Sequence, residues 1–196
     1  MNRYFIIHKP YNMLSQFTHE VNRESLKDLF NFPPDVYPLG RLDADSEGLL
    51  ILTNDKKLNH LLLNPSFQHK RTYLTQVEGE INPEAIKLLE KGVTISVNGK
   101  RYQTLPAKAE IVMQPDWLEE RNPPIRYRKS IPTSFVTLTL YEGKNHQVRK
   151  MTAAVGFPTL RLMRIAIEDL KLEGLKAGEV KEVRRGELLK ALGMSV

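Results

Sequence analysis

Gly40-Arg41-Leu42-Asp43-Ala44-Asp45-Ser46-Glu47-Gly48 runs straight into Leu49-Leu50-Ile51-Leu52-Thr53-Asn54-Asp55. Four ionisable side chains and two glycines abut an apolar run that reads as a central strand with apolar residues on both faces. Charge placed beside a core strand carries a solvation cost unless it is paired, exposed in a cleft or used in chemistry. The loop is therefore the candidate active site, and the flanking elements are read outward from it.

Upstream, residues 4–8 predict a first strand closed by Lys9-Pro10. Residues 25–30 predict a short helix capped by Ser25 or an earlier polar residue and ended before Pro33-Pro34. Downstream, Asn54 or Asp55 caps a helix whose Leu58, Leu61 and Leu62 share one face, stopped by Asn64-Pro65. Residues 70–79 read as a strand, and 83–91 as a helix with Pro83 at its start and Gly92 past its end. Strands follow over 93–97 and 107–113, then a proline-rich loop over 114–133. Residues 134–141 alternate, with Val136, Leu138 and Leu140 on one face. Asn145 then caps a helix ending at Gly156 and Pro158. Its stripe of Val148, Met151 and Val155 lies away from His146, Arg149 and Lys150. A strand over 159–163 and a Leu- and Gly-rich tail complete the chain. Irregular interleaving with short connections predicts an α+β fold, its sheet mixed but mostly antiparallel, with flanking helices.

The 196 residues suit one fairly large domain or two small lobes sharing a core. No apolar run reaches the ~20 residues that span a bilayer, and the N-terminal apolar part is too short for a secretory signal. Cysteine is absent, which excludes disulfides and thiolate metal or redox chemistry. A cytoplasmic enzyme or binding protein is the expectation. The net charge of +6 leans toward a polyanionic partner. Its distribution says more: Arg121, Arg126, Arg128 and Lys129 crowd a stretch without an acid, and Arg161 and Arg164 follow Arg149 and Lys150 closely.

The loop admits rival readings. Asp43, Asp45, Glu47 and Gly48 fall at the first, third, fifth and sixth positions of a calcium loop. The match then breaks, because Asn54 stands where a bidentate Glu is required. Asp43 could also be a turn residue paired with Arg41. Ser46 lies in no nucleophile elbow, no phosphate loop is present, and the five histidines lack a zinc spacing.

Four stretches in order resemble the RsuA-type pseudouridine synthases, which act on ribosomal RNA. They are His8-Lys9-Pro10 (with His8 in place of the usual Asn), the Arg41-Leu42-Asp43 loop with its strand, Arg71-Thr72-Tyr73, and residues 141–151 with Glu142-Gly143 and Gln147-Val148-Arg149. Ser46 replaces the Thr of many members and keeps its hydroxyl. Tyr11, residues 16–18, 121–126 and 128–134 are similar to a large-subunit subgroup that lacks an N-terminal S4 RNA-binding domain, and with a first strand near residue 4 the same lack is expected here.

The resemblance implies a pseudouridine synthase catalytic domain over residues 1–196, two lobes sharing a sheet, with a central active-site cleft. It implies isomerisation of a flipped uridine in 23S rRNA without cofactor or metal, by a monomer with no membrane partner. Asp43 would be the essential carboxylate, Arg149 its cationic partner, Tyr73 the residue stacked on uracil, and Arg41 a holder of the surrounding RNA. The basic stretch with Arg126, Arg128 and Lys129 is the candidate for phosphate contacts. Asp45 and Glu47 are expected to face solvent or shape the turn. A former synthase kept as an RNA-binding or ribosome-assembly factor is the alternative, against which Asp43, Tyr73 and Arg149 together speak.

Overall fold

The computed structural model describes residues 1–125, 130–172 and 174–194. In chain order the elements are β1 (Tyr4–Lys9), β2 (Met13–Leu14), β3 (Glu24–Ser25), α1 (Leu26–Leu29), β4 (Tyr37–Pro38), β5 (Glu47–Thr53) and α2 (Lys56–Leu63). There follow β6 (Arg71–Glu78), α3 (Pro83–Lys91), β7 (Thr94–Val97), β8 (Lys100–Gln103), β9 (Lys108–Val112), β10 (Thr133–Leu140) and α4 (Gln147–Ala154). The chain ends with β11 (Thr159–Ile167), β12 (Leu170–Lys171), β13 (Val180–Val183) and α5 (Arg185–Ala191). The internal contacts divide it into two units, Met1–His69 with Met163–Val196, and Lys70–Leu162.

In the first unit the strand order is β13-β1-β5-β11, with β4 on β5 and β12 on β11. β1 and β5 are buried along their whole length, the pattern of central strands. They run antiparallel with Lys9 opposite Gly48 at one end and Tyr4 opposite Thr53 at the other. On one face Phe5, Ile7, Leu50 and Leu52 form a core with Met13, Leu26, Phe32 and Val36. β11 pairs parallel to β5, and Arg164 lies opposite Gly48. Gly48 has φ +107, and a Cβ there would come within 2.3 Å of the Arg164 carbonyl oxygen, so only glycine permits this approach. Asp55 caps α2, its Oδ1 accepting from the Lys57 and Leu58 amides at 3.0 and 3.2 Å and its Oδ2 from the Tyr4 hydroxyl at 2.8 Å.

In the second unit β10 lies between β6 and β9, antiparallel to both. Val136, Leu138 and Leu140 are buried with Leu89 of α3 and Met151 of α4, the face that the alternation predicts. α3 has its predicted bounds. Asn82 caps it by accepting from the Ala85 amide at 2.9 Å, and Gly92 with φ +84 follows.

The sheet is mixed and mostly antiparallel, as expected. Several details differ. Leu58 and Leu62 of α2 are buried but Leu61 is exposed, because the i, i+4 ridge takes the core and the i+3 position falls on its flank. β8 joins β7 in a hairpin at Asn98-Gly99, both at positive φ, a turn signal that the reading of residues 93–113 passed over. β11 runs on to Ile167, and the tail supplies β13 and α5. No helix among the described residues is long and apolar enough to cross a membrane.

Candidate active site

The loop before β5 is held by its backbone. The Leu39 amide donates to the Ile51 carbonyl at 2.7 Å, laying the approach along β5. Leu42 is buried, and Ser15 brackets its peptide: the Ser15 hydroxyl donates to the Leu42 carbonyl at 2.8 Å and accepts from the Leu42 amide at 3.1 Å. Just beyond, the Ser46 amide donates to the Asp43 carbonyl at 3.0 Å and closes a turn. Lys9 pins that turn from beneath. Its fully buried ammonium donates to the carbonyls of Met13 (2.7 Å), Pro10 (2.9 Å) and Ala44 (3.3 Å). Asp43, half-buried, thus stands between two backbone anchors, while Arg41 in the same loop is exposed.

Burial drives the Lys9 ammonium down to about 7, with Arg164 pushing the same way, although the carboxylates of Glu47, Asp45 and Asp43 favour its charged form. The loop's acids therefore face a cation inside the fold. Of the two expectations for Glu47, solvent exposure fails: it is 2% exposed. It is the first residue of β5, and pairing with Met163 of β11 takes it into the interior. Asp45 is half-buried.

Tyr73 and Arg149 lie in the second unit. Tyr73 is the third residue of β6, opposite Leu138, and packs half-buried against that unit's core. Arg149 is the third residue of α4 and is half-buried. The entry to α4 is a polar network. The Glu142 carboxylate accepts from the Leu105 amide (2.8 Å), the Gln147 side chain (2.8 Å) and the Tyr102 hydroxyl (2.5 Å). Gln147 in turn accepts from the Lys144 amide at 2.9 Å, and the Lys144 ammonium lies 4.9 Å from the Tyr102 ring centre. His146, left-handed at φ 52, takes the N-cap position expected for Asn145 and makes no side-chain cap. The Glu142–Gln147 bonds hold the turn in its place.

The basic residues separate into two kinds. Arg161 and Arg164 are buried and donate to the backbone carbonyls of Glu119 and Leu49, each at 2.8 Å, so both brace the fold. Arg121 donates to the carbonyls of Pro123 and Pro124 at 2.8 and 3.2 Å. Arg126, Arg128 and Lys129 lie outside the described residues. Among the described residues no cluster of His, Asp or Glu could hold a metal ion.

Sequence reasoning gave no role to Lys9, Ser15 or Tyr102. The signal for Lys9 is a lone lysine closing an apolar strand before a proline; Ser15 carries none, because its partner is a backbone peptide 27 residues away.

Comparison with known proteins shows the family. A family model for RNA pseudouridylate synthase matches residues 3–154. The ribosomal large subunit pseudouridine synthase E of Vibrio parahaemolyticus is 46% identical over 179 residues, covering 91% of this chain and 73% of its own. The protein of that name from Xanthomonas axonopodis pv. citri is 44% identical over 172 residues, covering 87% and 88%. A crystal structure of a pseudouridylate synthase matches with a TM-score of 0.78 at 27% identity, over 97% of this chain and 74% of its own. The chain belongs to the RNA pseudouridine synthase family, in its RsuA-type branch.

Proposed function

We propose that the protein isomerises a uridine of 23S rRNA to pseudouridine in the cytoplasm, with Asp43 as the reacting carboxylate. The bond from ribose C1′ to N1 of uracil breaks and one from C1′ to C5 forms; the proton leaving C5 is matched by one gained at N1. Reactant and product contain the same atoms, so the step calls for no redox cofactor, nucleotide or metal. It calls for an ionised carboxylate at the nucleoside and a surface that holds the extruded base.

The observation that carries this reading is the double anchoring of Asp43. Ser15 holds the Leu42 carbonyl before it and Lys9 the Ala44 carbonyl after it, so the half-buried carboxylate is framed by two buried side chains. Such placement is what a reacting group needs, since its geometry must be set before the substrate arrives. Arg149 is assigned as the cation that keeps the carboxylate ionised, and Tyr73 as the ring that stacks on the flipped uracil and assists proton transfer. Arg41, exposed in the loop, holds RNA around the flipped nucleotide, and Arg126, Arg128 and Lys129 contact phosphates.

Replacement of Asp43 by Asn preserves the size and the backbone bonds but not the charge. The expected result is a fall in pseudouridine formation on a 23S rRNA transcript of about 10³-fold or more, with melting temperature and RNA affinity unchanged. Wild-type turnover in the variant would overturn the assignment. Tight RNA binding by the wild-type protein with no turnover would instead identify a binding module.

A further inference from the structure

The register that sets Lys9 and Gly48 at one end of β1 and β5 sets Tyr4 and Thr53 at the other, about 17 Å away along the strand. There the surface opens into two hollows. One, of about 420 Å³, is lined by Asn2, Asn54, Asp55, Lys56, Lys57 and Arg185. The second, of about 480 Å³, shares Asn2 and Arg185 and adds Arg184. Two lysines and three arginines thus line the two hollows, together with Asp55 and Glu182. Arg3 is paired with Glu182, and Lys56, Lys57, Arg184 and Arg185 are exposed.

The acids nearby are engaged elsewhere. Glu182 accepts from Arg3 through both oxygens at 2.7 Å, Asp35 accepts from Asn54 at 2.7 Å, and Asp55 caps α2 while accepting from Tyr4. Lys56, Lys57, Arg184 and Arg185 form no ion pair among the described residues. Folding gives no reason for them. Lys56 and Lys57 occupy a first turn that has no acid, Arg185 opens α5, and Arg184 stands at an N-cap without a side-chain bond. Cations at these positions oppose the helix dipole, and a capping Ser or Asp in place of Arg184 would be worth about 1 kcal/mol. The first amides of α2 are already taken by Asp55, so it is the side chains that can receive an anion here.

We propose that these two hollows form a second RNA subsite, remote from Asp43, which holds consecutive phosphates of the rRNA backbone. The inference rests on the reading of the protein as an RNA-acting enzyme. A flexible polyanion suits the place better than a compact anion, because the cations are spread over two neighbouring hollows that share Asn2 and Arg185. Arg184 and Arg185 offer planar forks to phosphate oxygens, and the lysines offer mobile point charges. Anchoring RNA away from the loop would also offset the cost of extruding the target base.

The test replaces Lys56, Lys57 and Arg185 together by Ala and measures binding to a 23S rRNA transcript from about 50 to 200 mM salt. The expected loss of affinity is at least about 10-fold. The plot of log affinity against log salt becomes shallower by about 2, since each single-strand phosphate contact contributes about 0.7 to its slope. The melting temperature stays the same or rises, because the removed charges oppose the helix dipoles. A variant with both lysines changed to Arg keeps the affinity and slope. Unchanged affinity and slope in the Ala variant, or loss of binding in the Arg variant, would overturn the subsite. Turnover of the wild-type protein is scored separately. If the cations govern binding but no pseudouridine forms, the subsite stands and the isomerase reading falls.

Discussion

The loop that carries Asp43 and the turn that leads to Arg149 do the same job by different physics. The loop carries the half-buried Asp43 itself, and the turn leads into the helix that carries the half-buried Arg149. The loop is held from inside by a buried lysine and by a glycine against which a second strand is pressed. The turn is held from the side by Glu142, which gathers an amide, a carboxamide and a phenol. The first device is rigid and costly, since an ammonium loses its hydration among carbonyl oxygens. The second is cheap and partly wet. Their weak points should therefore differ, and substitutions can show it.

The widest difference lies in their glycines. Gly48 needs φ +107 and leaves no room for a Cβ, whereas Gly143 has nothing within 4 Å of one and no left-handed φ. Gly48→Ala is expected to lose about 3–5 kcal/mol of stability, from a strained backbone and a forced separation of β5 from β11. Gly143→Ala should stay within about 0.5 kcal/mol. Urea midpoints measure both, and equal losses would mean that the loop is no more tightly framed than the turn.

The buried cation should show itself in pH. The Lys9 pKa in the fold, about 7, lies below its ordinary 10.5. Below pH 7 the side chain is protonated folded or unfolded and its contribution is flat. Between about 7 and 10.5 the unfolded chain holds the proton and the folded chain releases it. Stability from this group therefore rises with pH, by up to about 1.4 kcal/mol per unit within that window. Lys9→Met removes that rise, so unfolding free energies of variant and wild type, measured from pH 6 to 9.5, should draw apart with pH. Parallel curves would mean that Lys9 keeps its proton in the fold.

What the sequence made legible follows the same division. Elements built on strong local signals came through: β5 as an apolar run, α3 between Pro83 and Gly92, β10 by alternation. The motif pointed to Asp43, Tyr73 and Arg149 as residues. It did not show what holds them, because Lys9 and Ser15 act on peptides 35 and 27 residues away, and backbone carbonyls have no sequence. The burial of Glu47 was hidden for a related reason. A charge before a strand reads as solvated until the neighbouring strand is known, and β11 arrives more than a hundred residues later. Propensity puts the cap of α4 at Asn145, whereas the Glu142–Gln147 network sets the turn so that His146 takes that position.

The turn's own titration gives the smallest effect and the cleanest contrast with Lys9. The hydrogen bond to Glu142 raises the Tyr102 phenol above its ordinary 10.0, with burial adding to it. A raised phenol pKa works in the opposite sense to a lowered ammonium. Its stabilisation is complete below pH 10 and is lost as pH climbs through the folded value. Tyr102→Phe should thus lower stability by about 0.5–1 kcal/mol at neutral pH, leaving Glu142 its other two donors, and soften the alkaline decline. Among the described residues, the Tyr4 phenol is also held above the ordinary range, by burial and by Asp55. Tyrosinate absorbance should show one fewer late-titrating group in the variant. An unchanged late titration would detach the phenol from Glu142 and leave the turn to Gln147 and the Leu105 amide alone.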